Sequence, residues 1–398
     1  MDGNAGAALL PEDGTRGTLI GRAWDPGAAN GPCVVALRGD QLVDITAMAP
    51  TVAALLERPD AVAVARKAEG RPLGLIADAA RNSFPDERDA TRPWLLAPVD
   101  LQAIKAAGVT FAASLLERVV EEQARGEPAK AAAVRAQLVG EIGVDLSKVE
   151  PGSAEARRLK EALQKRNLWS QYLEVGLGPD AEIFTKCQPM ASVGYGADIG
   201  VLSTSSWNNP EPEVVIAANS RGQVVGATLG NDVNLRDYEG RSALLLSKAK
   251  DNNASSAVGP FIRLFDEHFG IDDVRRADLA LTVEGLDQFV LRGSSSMRMI
   301  SRDPLDLAGQ ALNANHQYPD GYVLFMGTMF APTEQRGPKD AAGGGGFTHH
   351  VGDRVTIASP KLGALVNRVR HCHDIAPWTF GIGALIANLA RRGLLKNA

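Results

Sequence analysis

Short β-branched runs separated by turn residues set the pattern at the start of the chain. Thr18–Trp24, Cys33–Arg38 and Gln41–Ile45 read as strands, with Gly39-Asp40 as a turn. Pro50-Thr51 opens a short helix, and a second runs from Pro59 to Lys67 and ends at Gly70. Residues 1–17 are small, polar and acidic, and are expected to form a disordered lead. Residues 18–92 then read as a small α+β domain and residues 93–398 as a larger one. In the larger part, apolar residues take helical spacing from Gly108 to Gln123, and Pro128–Gly143 and Ser153–Asn167 are further helical stretches. Glu155 in the first turn of the last stretch and Lys165-Arg166 in its last turn suit the helix dipole. Asp278–Glu284 and Gln288–Leu291 pattern as a hairpin, and Asp303-Pro304 caps and opens a helix to about Asn313. Gly321–Met326 is an apolar strand ending at Gly327-Thr328. Gly343–Gly346 is a flexible loop and candidate gate. Arg354–Ala358 and Leu362–Arg370 read as strands, and Trp378–Arg392 as a closing helix. No repeat is visible, and the non-alternating order of strands and helices predicts an α+β fold rather than a βαβ sheet.

The chain is organised around residues 211–236. Two β-branched runs flank Ser220-Arg221-Gly222, which predicts a hairpin with a three-residue loop. Glu211 and Glu213 lie two apart on one strand and share a face. Pairing Asn219 with Gln223 sets Glu211 opposite Asn231, one residue short of Asp232. A one-residue bulge near Gly230 would bring Asp232 round to the two glutamates. Three carboxylates on one patch repel one another unless a hard cation lies between them, and an all-oxygen set suits Mg²⁺, Mn²⁺ or Ca²⁺. The competing reading is a solvated acidic edge strand.

Composition narrows the partners. The 398 residues carry a net charge of -5 with no Lys/Arg block, so nucleic acid is not an expected partner. The amino terminus has no signal-peptide pattern, and no apolar run is long enough to span a bilayer. Cys33, Cys187 and Cys372 are widely spaced and odd in number, which suits reduced thiols in a cytoplasmic protein. His371-Cys372-His373-Asp374 has metal-ligand chemistry, but consecutive strand residues alternate faces, so a loop or strand end is expected instead of a Zn site. His349-His350 is expected in a surface loop, and Gly293-Ser-Ser-Ser-Met297 as an ordinary turn with anion-cradling backbone as the alternative. There is no GxGxxG opening a helix, no GxxxxGK[ST] and no GxSxG, so nucleotide binding and a serine hydrolase of that type have no support. Lys250 is a base candidate if a bound substrate depresses its pKa; otherwise it is a surface lysine.

Asn231-Asp232-Val233 with Arg236, then Lys250, Gly259-Pro260, Gly327-Thr328 and Gly352-Asp353, resemble the fumarylacetoacetate hydrolase family from about Leu95 onward. Glu182-Ile-Phe-x-Lys186, residues 235–245 and Phe325–Pro332 are similar to the family's sugar-acid dehydratases, which dehydrate 2-keto-3-deoxy-pentonates. The family's hydrolases carry Gly-x-Asn-Tyr-x-x-His-x-x-Glu, where the histidine activates water. Here Gly108-Val-Thr-Phe-Ala-Ala-Ser114-Leu-Leu-Glu117 has serine in that place, which fits a lyase needing no attacking water. The resemblance implies a mixed β-roll core with peripheral helices, in a homodimer or homotetramer. It implies that Glu211, Glu213 and Asp232 bind Mg²⁺ or a similar cation, and that Lys250 and Glu182 transfer protons with Ser114 beside them. Lys186, Arg236 and Thr328, with Gly327 and Ser192, would hold substrate oxygens. The expected reaction turns a 2-keto-3-deoxy-pentonate of the D-arabinonate or D-xylonate type into 2,5-dioxopentanoate in non-phosphorylative pentose catabolism. A Schiff base on Lys250 is a rival use of that residue. Rival functions are an acylpyruvate hydrolase or decarboxylase of the same fold, and a non-catalytic sugar-acid-binding protein.

Overall fold

The computed structural model describes residues 9–131, 133–134, 136, 146–330, 332, 334, 336 and 346–395. The predicted lead up to residue 8, part of the helical stretch Pro128–Gly143 and most of the Gly343–Gly346 loop lie outside them.

The β-branched runs become strands. In chain order they are β1 Leu19–Asp25, β2 Gly31–Arg38, β3 Gln41–Asp44, β4 Arg71–Leu75, β5 Trp94–Leu96 and β6 Ala103–Gly108. Then come β7 Glu182–Cys187, β8 Asp198–Val201, β9 Asn208–Asn209, β10 Pro212–Ala218, β11 Val224–Asp232 and β12 Asn234–Leu235. The last are β13 Ser256–Leu264, β14 Asp278–Glu284, β15 Val290–Ser296, β16 Tyr322–Phe325, β17 Arg354–Ser359 and β18 Gly363–His371. The main sheet runs β4-β3-β2-β1-β13-β11-β10-β16-β6-β7, with β5 also on β1. A second sheet runs β15-β14-β17-β18-β8. It packs across the central hairpin, β14 meeting β10, β17 meeting β11 and β18 meeting β13.

Both faces of the central hairpin are therefore covered, which is why β10 reads as a continuous apolar run rather than an alternating one. Val214, Ile216 and Ala218 enter the core between the sheets, while Val215 and Ala217 enter a second core on the opposite face. That second core also holds Val52, Leu55 and Leu56 of the short helix Val52–Leu56. Each buried Val, Leu or Ile among them contributes about 1.5–3 kcal/mol. The hairpin lies in mid-sheet, so the edge-strand reading of its acidic residues is excluded.

The structure bears on three sequence expectations here. The strands of residues 18–92 are hydrogen-bonded into the main sheet, because β1 pairs with β13 (Leu19 opposite Arg263). The end of the expected disordered lead is also seated: Leu9 is buried, Glu12 N donates to Pro360 O at 2.9 Å, and Asp13 pairs with Arg263 at 2.6 Å. Gly293-Ser-Ser-Ser is neither a turn nor an anion cradle but part of β15. Gly293 lies under the Phe330 ring, where a Cβ would come within 2.0 Å.

Gly230 in β11 faces Phe325 and Val215, and a Cβ there would lie 2.3 Å and 2.6 Å from them. Gly230→Ala is expected to destabilise the fold by about 2 kcal/mol through overpacking. A urea midpoint lowered with an unchanged slope would match; an unchanged midpoint would refute it.

Candidate active site

Glu211 immediately precedes β10 and Glu213 is its second residue, so both point to one face. The turn is the predicted one, with Asn219 N donating to Gln223 O at 3.0 Å. The bulge is elsewhere than expected. Pairing shifts from Ala218↔Val224 to Ala217↔Gly226, so the extra residue is Val225 at the foot of the loop, not one near Gly230. A bulge anywhere between loop and acids moves every later residue of β11 by one. Pro212 therefore pairs with Asn231, and Asp232 N donates to Glu211 O at 3.1 Å. Glu211, Glu213 and Asp232 are buried, and each offers an oxygen within 4.8 Å of the others.

Cations answer two of these three. Lys250, ending the helix Leu246–Lys250, places Nζ 2.6 Å from Glu211 Oε2 and 2.9 Å from Asp232 Oδ2. Lys186 Nζ lies 3.0 Å from Asp232 Oδ1 and donates to the Lys250 carbonyl. Arg118, on the helix Ala112–Gln123, contacts Glu211, Glu121 at 2.7 Å and Glu239 at 2.8 Å. Among the described residues, Glu213 has only the Gly327 N–H, donating to Oε2 at 2.7 Å. Burial, then Asp232 and Glu211, push its carboxyl well above the usual range. Burial also raises Glu182, and it pushes Glu239 up to about 7 against the pull of Arg118. Burial works the same way on Asp232, but Lys250 and Lys186 outweigh it and its pKa falls. Burial alone would lower Lys250, yet Asp232, Glu211 and Glu239 outweigh it and hold the ammonium charged. Without a ligand, these carboxylates outweigh both burial and the neighbouring Arg118.

A cavity of about 30 Å³, room for an ion or a water, is lined by Ser114, Arg118, Glu182, Glu211, Glu213, Asp232, Glu239, Lys250, Gly327 and Thr328. Five carboxyl groups face two cations there, and a divalent ion would offset part of that acidic excess. Asp232 Oδ1 accepts no well-aligned hydrogen bond despite the nearby Lys186, which leaves a lone pair for such an ion. The all-oxygen triad fits Mg²⁺, Mn²⁺ or Ca²⁺. A larger cavity of about 740 Å³ lies between Leu56–Val62 and the hairpin loop, away from these acids.

The fold thus brings Ser114, Glu182, Lys250, Gly327 and Thr328 to the acidic triad. Three other predicted residues lie off the cavity. Lys186 is fully buried behind Asp232. Arg236 is buried against Trp207, its guanidinium 4.2 Å over the ring, and pairs with Glu121 at 2.6 Å and Glu117 at 3.0 Å. Ser192 lines a separate cavity, with Oγ 3.0 Å from Ser256 Oγ. Arg118 and Glu239 were missed. Arg118 had a helical signal, four residues after Ser114 and so on the same face; Glu239 had none that stands out locally. His349 is buried rather than on a surface loop, with Nδ1 3.2 Å from Asp353 Oδ2.

A mixed-sheet core carries a buried carboxylate triad with an attendant lysine, the donor set of a candidate metal site. No family model matches the chain. It is 31% identical over 189 residues to the 2-dehydro-3-deoxy-D-arabinonate dehydratase of Saccharolobus solfataricus, a match covering 48% of this chain and 58% of that relative. It is 26% identical over 293 residues to a Haloferax volcanii protein named "Probable 2-keto-3-deoxyxylonate dehydratase", covering 74% and 78%. Its fold is shared with a solved 2-keto-3-deoxy-D-arabinonate dehydratase complexed with magnesium and 2,5-dioxopentanoate, at a TM-score of 0.60 and 20% identity over 89% of this chain and 99% of that one. The likeness to the pentonate dehydratases of the fumarylacetoacetate hydrolase type, read from short motifs, holds in sequence and in fold.

Glu213 binds a proton more tightly folded than unfolded, so the cation-free protein should lose stability as pH rises above about 4.5, the ordinary glutamate value. His349, lowered mainly by burial, opposes this below about 6.5, so Glu213→Gln serves as the reference. In EDTA, the melting temperature should fall more between about pH 5 and pH 8 in the wild type than in Glu213→Gln. Mg²⁺ should raise it more at the higher pH, and equal shifts at both would count against a cation at Glu213.

Proposed function

We propose that this protein is a hydro-lyase that converts a 2-keto-3-deoxy-pentonate of the D-arabinonate or D-xylonate type to 2,5-dioxopentanoate and water, using Mg²⁺. The observation that carries this is the buried triad sharing one cavity with Lys250 and Glu182, in a chain similar to dehydratases of such acids. Glu211, Glu213 and Asp232 would hold the ion. When bound, Mg²⁺ supplies Lewis-acid stabilisation of the enolate left by loss of the C3 proton.

The remaining chemistry belongs to side chains. Glu182 occupies the space left by the missing Cβ of Gly108, which would lie 2.1 Å from its Oε2. Its raised pKa keeps a proton on the carboxyl to higher pH than usual, which suits donation to the departing C4 hydroxyl. Lys250 takes the C3 proton. Its ammonium is held by Glu211 and Asp232, and a cation held by those carboxylates would weaken that hold and lower its pKa. Ser114 donates to Phe111 O at 2.9 Å, so its lone pairs remain to orient the leaving hydroxyl. Thr328 holds a substrate oxygen. The cavity of about 30 Å³ admits a five-carbon acid only as its walls part. The serine in place of the hydrolases' histidine separates this reading from C–C hydrolysis.

Among the described residues, no helix is long and apolar enough to cross a membrane. We infer action in the cytoplasm, on a small 2-keto acid in pentose catabolism, as a homodimer or homotetramer.

Turnover of 2-keto-3-deoxy-D-pentonate should give 2,5-dioxopentanoate with Mg²⁺ and none with EDTA. Lys250→Ala should cost about 10²–10⁴ in kcat, and Glu213→Ala should abolish the metal response. Failure with both C4 epimers, alongside cleavage of an acylpyruvate, would overturn the assignment. Borohydride reduction during turnover should leave no substrate adduct on Lys250.

A further inference from the structure

β18 ends at His371, and a single 3₁₀ turn over Cys372–Asp374 follows at once. That turn removes the objection that consecutive strand residues point to opposite faces. His371, His373 and Asp374 offer ligand atoms within 4.8 Å of one another. The Asp374 carboxylate is forked between the two rings, with Oδ2 3.6 Å from His371 Nδ1 and Oδ1 3.4 Å from His373 Nε2. The rings stack with centroids 5.5 Å apart. Cys372 turns away, its Sγ packed so closely on Gly200 that a Cβ there would lie 2.9 Å from it.

The turn is pinned on both sides. Asn253 Nδ2 donates to Cys372 O at 3.2 Å and to Ile375 O at 3.4 Å, and His371 pairs with Val201 of β8. The three side chains keep 36%, 64% and 51% of their surface exposed, so water has access to complete a coordination shell. A neighbouring cavity of about 500 Å³ touches His373.

We propose that His371, His373 and Asp374 form a second metal site, separate from the acidic triad, that takes a borderline transition ion such as Zn²⁺, Co²⁺ or Ni²⁺. Two imidazoles and one carboxylate suit those ions and not Mg²⁺ or Ca²⁺, whose preference is for oxygen. The two sites therefore differ in the chemistry of the ion as well as in position. Asn253 lies three residues after Lys250, so the segment that leaves the catalytic helix also anchors the metal-binding turn.

The test uses the full chain with any affinity tag removed, held in excess Mg²⁺ to occupy the triad. Zn²⁺ is titrated by calorimetry, and Co²⁺ by its visible absorption. One equivalent should bind, and His371→Ala, His373→Ala and Asp374→Asn should each weaken binding by about tenfold or more, with circular dichroism unchanged. Glu213→Gln and Cys372→Ser should leave it intact. No binding by about a hundred micromolar ion, binding that survives all three ligand substitutions, or loss in Cys372→Ser would overturn the proposal.

Discussion

Two unit charges about 4 Å apart interact by about 4 kcal/mol at the effective dielectric near a protein surface. Glu211, Glu213 and Asp232 are that close and lie deeper than the surface, in the middle of the main sheet. Repulsion among them is comparable to the net stability of a domain. The surroundings answer it in two ways. Lys250, Lys186 and Arg118 compensate Glu211 and Asp232, while Glu213, which accepts from the Gly327 N–H, is driven toward its protonated form. A divalent cation would replace both devices at once, which is why the site is better explained as a binding site than as a structural ion-pair cluster.

The helix Ala112–Gln123 is tied to that constraint. Ser114, Glu117, Arg118 and Glu121 recur at three- and four-residue spacing and so share a face. Arg118 bridges Glu211, Glu121 and Glu239, and Arg236 bridges Glu117 and Glu121. The arginines thus fix the helix against the hairpin and present Ser114 to the cavity. Removing either would take a cation from buried carboxylates, so Arg236 supports the site without touching it.

Much of this was legible in local pattern. Alternation put Glu211 and Glu213 on one face, and the three-residue loop fixed a register one residue short of the observed one. The bulge was correctly required but misplaced, because Gly230 looks like a bulge marker whereas Val225 carries no mark. Gly230 is instead the space into which Phe325 packs. The joining of residues 18–92 to the main sheet was not legible: β1 and β13 are more than two hundred residues apart, and nothing in either strand specifies the other. The family resemblance places Lys186 and Arg236 at substrate oxygens. Complete burial beside a carboxylate, which redirects them, is a tertiary property.

The fold alone does not select the reaction, since chemistry depends on which side chains a scaffold presents. What distinguishes this site is the spread of its carboxyl groups. Asp232 is held ionised by two lysines, whereas Glu182, Glu213 and Glu239, facing the same cavity, are raised. Environments that push neighbouring acids apart make one an electrostatic ligand and another a proton donor at the same pH. A hydrolase would also need a base for water, and Ser114, donating to a backbone carbonyl at the place where a histidine would stand, is not one. The proposed elimination needs a proton taken at C3, a proton given at C4 and charge stabilised between them, and Lys250, Glu182 and the acidic triad line one cavity.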